Sequence, residues 1–147
     1  RYDLVLDLVE QREATLVAFN FTHQRDALIE SAKKRGLRYG LIDGSVAGED
    51  RSRVVDRFQS GDLDVVFAHP ASAGHGLTLT RANAVIWASP TDNAEFWTQF
   101  NARIYRAGQT KRTEIIKIIA RGTLEERAFN ALERKLTNQE ALLEMLT

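Results

Sequence analysis

Short apolar, β-branched runs alternate with amphipathic helical stretches along nearly the whole chain, and this alternation restricts the fold more than any other feature. A strand that is apolar on both faces must be covered on both, and βαβ crossovers do this by laying helices over a parallel sheet. The fold class expected is α/β, a mostly parallel sheet flanked by helices. Candidate strands occupy residues 15–21, 39–43, 64–68, 84–88 and 113–120. Helical periodicity covers residues 2–13, 23–35, 49–60 and 93–107, and a longer helix starts at Thr123 with a break near Asn138 and Gln139. Thr123-Leu-Glu-Glu126 has the form of a capping box, as does Asp92-Asn-Ala-Glu95.

With 147 residues there is room for one domain, and 44% hydrophobic residues suffice to give it a core. Twenty Lys plus Arg balance twenty Asp plus Glu, which excludes a chain-wide basic field and leaves only a local basic patch. The absence of cysteine excludes disulfides, thiolate catalysis and zinc–cysteine sites. No apolar run approaches the roughly 18 residues of a membrane span. The expected setting is intracellular, cytoplasmic or nucleoid-associated, with no membrane partner. Because Met145 is the single methionine, the chain is expected to be a piece of a longer protein and, as that piece, monomeric.

The chemistry concentrates in two segments. In Gln99-Phe-Asn-Ala-Arg103-Ile-Tyr-Arg106-Ala-Gly-Gln109, about 100° per residue places Gln99, Arg103 and Arg106 on one helical face, while Trp97, Phe100 and Ile104 turn toward a core. Two guanidiniums one turn apart repel each other. They either pair with surface carboxylates or grip a multiply charged anion such as a triphosphate. The second segment, His69-Pro-Ala-Ser72-Ala-Gly74-His-Gly76-Leu-Thr78-Leu-Thr80, follows a buried strand, where α/β sheets place ligands. Gly74 and Gly76 either admit a sugar or phosphate close to the backbone or form a plain tight turn. His69 and His75 have no further ligand cluster, so no metal site is expected. Asp43-Gly44-Ser45 reads as a turn closing a strand, Arg51 as a surface cation or a structural bridge, and Trp87 and Trp97 as core residues.

Taken in order, these pieces resemble the second RecA-like lobe of superfamily-two helicases, specifically the Swi/Snf family of helicase-like DNA translocases. Thr15-Leu-Val-Ala-Phe-Asn-Phe-Thr22 looks like motif IV. Leu41-Ile-Asp-Gly-Ser45 with Arg51, Val55 and Phe58 looks like the family's Asp-Gly-Ser/Thr element. Ser72 to Thr80 followed by Ala82-Asn-Ala-Val-Ile86 looks like motif V. Gln99, Arg103, Arg106, Gly108 and Gln109 match motif VI, and Gly122-Thr-Leu-Glu-Glu-Arg127 matches the segment after it. His75 replaces the usual middle glycine of motif V, giving a run similar to bacterial and bacteriophage members. Ala88-Ser-Pro-Thr-Asp-Asn replaces the common Asp-Pro-x-Trp-Asn-Pro.

The resemblance implies that residues 1–147 form the second lobe of a two-lobed motor, with ATP in the cleft between lobes and duplex DNA across both. Arg103 and Arg106 would be arginine fingers, Gln99 would position the attacking water or the γ-phosphate, and Gly74 and Gly76 would approach the nucleotide ribose. Thr22, Ser72, Thr78 and Thr80 would contact DNA phosphates. The chain has no Gly-Lys-Ser/Thr phosphate loop and no Asp-Glu metal motif, so a P-loop NTPase-like fold without its own P-loop is expected. Mg²⁺ and most of the ATP contacts would belong to the N-terminal lobe, and this chain alone should not hydrolyse ATP. The alternatives are a non-catalytic RecA-like module that binds nucleic acid or protein, and a small nucleotide- or sugar-phosphate-binding enzyme.

Overall fold

Five short strands, β1 (Thr15–Ala18), β2 (Tyr39–Ile42), β3 (Val65–Ala68), β4 (Ala84–Trp87) and β5 (Glu114–Lys117), run parallel in the order β2-β3-β1-β4-β5. The structure is a computed structural model and describes residues 1–73, 77–105 and 107–146. Helices α1 (Tyr2–Glu10), α2 (Thr22–Lys34), α3 (Gly48–Ser60), α4 (Ala94–Asn101) and α5 (Leu124–Leu146) surround the sheet, and a 3₁₀ turn (Ala102–Ile104) follows α4.

Strands β1, β3 and β4 are buried throughout, as their apolar runs require, and their alternation divides the core in two. Leu16, Ala18, Val66, Val85 and Trp87 meet Phe58 of α3 and Phe100 and Ile104 beyond the sheet's first face. Val17, Val65, Phe67 and Ile86 meet Val5, Leu6 and Val9 of α1 and Leu28 and Ala32 of α2 on the other. Gly40 in β2 is required by this packing, since a Cβ there would lie 2.6 Å from Val54 Cγ1 and 2.9 Å from Leu63 Cδ1.

Three local expectations are corrected. The helix read over 93–107 ends at Asn101 and tightens to the 3₁₀ turn, because the Arg103 Nε donates to the Gln99 carbonyl (2.8 Å) and competes for the acceptor that an α-helix reserves for the backbone. Its cap is Asn93, whose side chain accepts from the Phe96 N–H (3.0 Å), rather than Asp92. Helix α5 runs unbroken through Asn138 and Gln139, whose side chains both face solvent. At its start the Thr123 hydroxyl accepts from the Glu125 N–H (3.2 Å), while the Glu126 carboxylate reaches past Thr123 to the Gly122 N–H (2.7 Å).

Candidate nucleotide and nucleic-acid interface

A parallel sheet presents every strand's carboxyl end along one edge, and the connections there turn in opposite directions after β1 and β4. Polar side chains fill this crevice. The Asn20 amide after β1 donates to the Ser89 hydroxyl (2.8 Å) and lies 3.2 Å from the Ser89 and Pro90 carbonyls after β4. The Ser89 hydroxyl donates to Gln24 Oε1 (3.1 Å), and the same oxygen accepts from the Asn20 and Phe21 N–H groups at the start of α2. One stride along the edge, buried Asp43 accepts from Arg25 Nη1 (2.9 Å) and, through its other oxygen, from the Ser45 N–H and hydroxyl (2.9 and 2.5 Å). Burial alone would raise the Asp43 carboxyl, but the Ser45 hydroxyl, the Arg25 guanidinium and the Ser45 N–H outweigh it and hold the group below its ordinary value.

Thr22, exposed in the first turn of α2, and half-buried Ser72 after β3 both lie at this carboxyl edge. The Arg51 guanidinium bridges the Val46 and Ser72 carbonyls (3.4 Å each), which makes it the structural link between the Asp43-Gly44-Ser45 turn and the Ser72 loop. The His69 ring stands edge-on to Phe19 and Phe96, and its Nδ1 accepts from the Ala71 N–H (3.1 Å).

Thr80 lies at the opposite end of the sheet, where α3 finishes and β4 begins. Its hydroxyl accepts from Gln59 Nε2 (3.1 Å). Thr78 is half-buried beside Leu79, whose N–H donates to the Arg103 carbonyl (3.1 Å). Gln109 locks this corner: its Nε2 lies 2.7–3.0 Å from the carbonyls of Ile104, Ala82 and Thr80, and its Oε1 accepts from the Lys111 N–H. Gly108 precedes it at φ +99°, a left-handed conformation that favours glycine. The four hydroxyls therefore divide between two ends of the sheet, and one phosphate cannot meet them all.

Arg103 is only 6% exposed, held by Gln99 through the backbone. The Gln99 amide donates to Glu95 Oε1 (3.1 Å) one turn back on α4. Gly74, Gly76 and Arg106, the remaining members of the predicted site, lie outside the described residues, as does His75. Behind this region the Asn101 carboxamide accepts from the buried Trp87 indole (2.9 Å), and the Lys117 ammonium sits 3.8 Å from the Phe129 ring centre and 5.3 Å from that of Trp97. Burial lowers the Lys117 pKa, against an opposing pull from Glu133.

Sequence reasoning missed the Asn20–Gln24–Ser89 network and the Arg25–Asp43 pair. The available signal was polar side chains directly after apolar strand runs, at the edge where α/β sheets put ligands.

An all-parallel sheet with helices on both faces is a doubly wound α/β architecture, the class to which RecA-like lobes belong. The profile of the helicase conserved C-terminal domain matches residues 1–108, and the chain belongs to that family. Its likenesses are to the Swi/Snf branch. Chromodomain-helicase-DNA-binding protein 1-like from Danio rerio is 30% identical over 137 residues, 93% of this chain and 13% of that protein. Chromatin-remodeling ATPase INO80 from Neurospora crassa is 34% identical over 126 residues, 85% of this chain and 6% of that protein. The crystal structure of the C-terminal part of the Fun30 ATPase domain superposes with a TM-score of 0.81 at 26% identity, over 88% of this chain and 44% of that one. The chain thus spans a small part of the length of these curated relatives.

Proposed function

We propose that the chain is the C-terminal lobe of an ATP-dependent, duplex-DNA translocase, supplying cationic groups to ATP across an interlobe cleft and hydroxyls to the DNA backbone. The observation that carries this reading is the locked corner at Arg103, where Gln109, Leu79 and Gln99 fix a guanidinium-bearing turn from three directions. Its donor set of guanidinium and amide suits the oxyanions of a phosphate chain. Mg²⁺ would be held by an N-terminal lobe.

The lobes would close on bound ATP and reopen after the phosphoanhydride is hydrolysed. Arg103, whose Nε donates to the Gln99 carbonyl, and Arg106 would both stabilise charge that builds on the transferred phosphoryl group. Gln99 would orient the attacking water after leaving Glu95. Gly74 and Gly76 would bring backbone N–H groups to the nucleotide. Thr22 and Ser72 would hold one stretch of DNA backbone and Thr78 and Thr80 a second, positioning the duplex without reading its sequence. As a separate piece the chain is expected to be monomeric.

The burial of Arg103 favours a second reading, in which the arginine is an internal brace and the lobe a non-catalytic binding module. ATP hydrolysis by the chain joined to its N-terminal lobe separates the two: the motor reading predicts DNA-stimulated turnover that Arg106→Ala lowers by about three orders of magnitude with the fold unchanged. Unaltered turnover in the variant would remove the finger role of Arg106, and a folded joined protein that does not hydrolyse ATP would support the binding module.

A further inference from the structure

The apolar run through β5 is interrupted by a single charge. Ile115 and Ile116 precede Lys117 and Ile118 and Ile119 follow it, and Lys117 sits half-buried on this edge strand, directly beside Trp87 of β4. Among the described residues no carboxylate pairs with its ammonium, and Glu133 pulls on it only from a distance. A leucine or methionine would fill the same place without desolvating a charge, so packing alone gives no reason for a lysine. What the charge meets is aromatic: the Phe129 ring of α5, its centre 3.8 Å away, and the Trp97 ring of α4 at 5.3 Å. Two helices that lie on either side of β5 in the sequence are thereby drawn to one cation.

Trp97 carries this contact to the arginine-bearing turn. Its ring lies against that of Trp87, with centres 5.1 Å apart, and Trp87 in turn meets Phe100 at 5.2 Å and donates its indole N–H to Asn101 Oδ1 (2.9 Å). Trp97, Phe100 and Asn101 bracket Gln99 on α4, and Asn101 is the last residue before the 3₁₀ turn that holds Arg103. We infer that Lys117 is a positioning residue for the proposed ATP site, clamping α4 against β4, β5 and α5 so that Gln99 and Arg103 keep their places. The inference rests on the motor reading of those two residues. A shift of α4 would displace both side chains together, which costs rate and leaves nucleotide affinity to other groups. A charge kept where packing would prefer an apolar residue is a departure of the kind proteins retain at functional sites.

The test is steady-state ATP hydrolysis, with duplex DNA, by the chain joined to its N-terminal lobe, alongside amide hydrogen exchange of the chain alone. Lys117→Met keeps the apolar stem and removes the charge. It is expected to lower kcat by about ten- to a hundredfold with KM for ATP unchanged, and to speed exchange over residues 97–105. Lys117→Arg puts a cation back over both rings and should keep kcat and exchange near their wild-type values. Phe129→Leu, which leaves an apolar side chain on α5, should reproduce the loss of kcat in part and answers the question even if Lys117→Met fails to fold. Wild-type kcat and exchange in Lys117→Met and Phe129→Leu would overturn the clamp and leave the motor reading standing, as would a folded Lys117→Arg as impaired as Lys117→Met. No hydrolysis by the folded wild-type joined protein would remove the motor reading, and the positioning role with it.

Discussion

Asp43 shows how a single side chain can join two motifs. Its carboxylate closes the turn after β2 through Ser45 and reaches Arg25 on α2, so the carboxyl edge of the sheet is fixed by one buried acid. Because its folded pKa is held below its ordinary value, the stability it adds is complete above that value and is lost as pH falls through the folded one. Asp64 is likewise held below its ordinary value, chiefly by the hydrogen bond from Arg38. Asp43→Asn is therefore predicted to cost about 1–2 kcal/mol at neutral pH and to lose less than the wild type below pH ~4, measured as urea unfolding at a series of pH values. A parallel loss in both proteins would contradict the pairing. Neither Asp43–Arg25 nor Asn20–Ser89 was legible in the sequence, because each joins segments that only the crossovers bring together.

At the scale of elements, the strands were readable because burial on both faces leaves a continuous apolar signature, which β1, β3 and β4 carry in full. Helix α4 was readable in kind but not in length. Periodicity follows side chains around an axis and is blind to a guanidinium taking the carbonyl of the preceding turn, which is what Arg103 does to Gln99. Helix α5 shows the reverse: Asn138 and Gln139 suggested a break, yet solvent-facing positions tolerate modest helix formers. The contact between α3 and β2 is the tightest test of packing. Gly40→Ala is predicted to destabilise the lobe by about 1–3 kcal/mol, since the new methyl would have to displace Val54 and Leu63; an unchanged denaturation midpoint would refute this close approach.

For the whole molecule, fold and family agree: a parallel sheet covered on both faces, a match to the helicase conserved C-terminal domain over residues 1–108, and a Fun30 lobe that superposes over most of the chain. The ordered motifs made that class visible in the sequence, since motif spacing survives where individual side-chain contacts vary. The division of the four hydroxyls between opposite ends of the sheet was invisible, because it depends on the direction in which α3 and α4 cross the faces. In the proposed motor this lobe would complete an ATP site shared with an N-terminal lobe. ATP hydrolysis by the chain alone and joined to that lobe, with and without duplex DNA, tests this. No turnover is expected from the chain alone, and hydrolysis that rises with DNA from the joined protein; turnover by the isolated chain, or none by the folded joined protein, would overturn the motor.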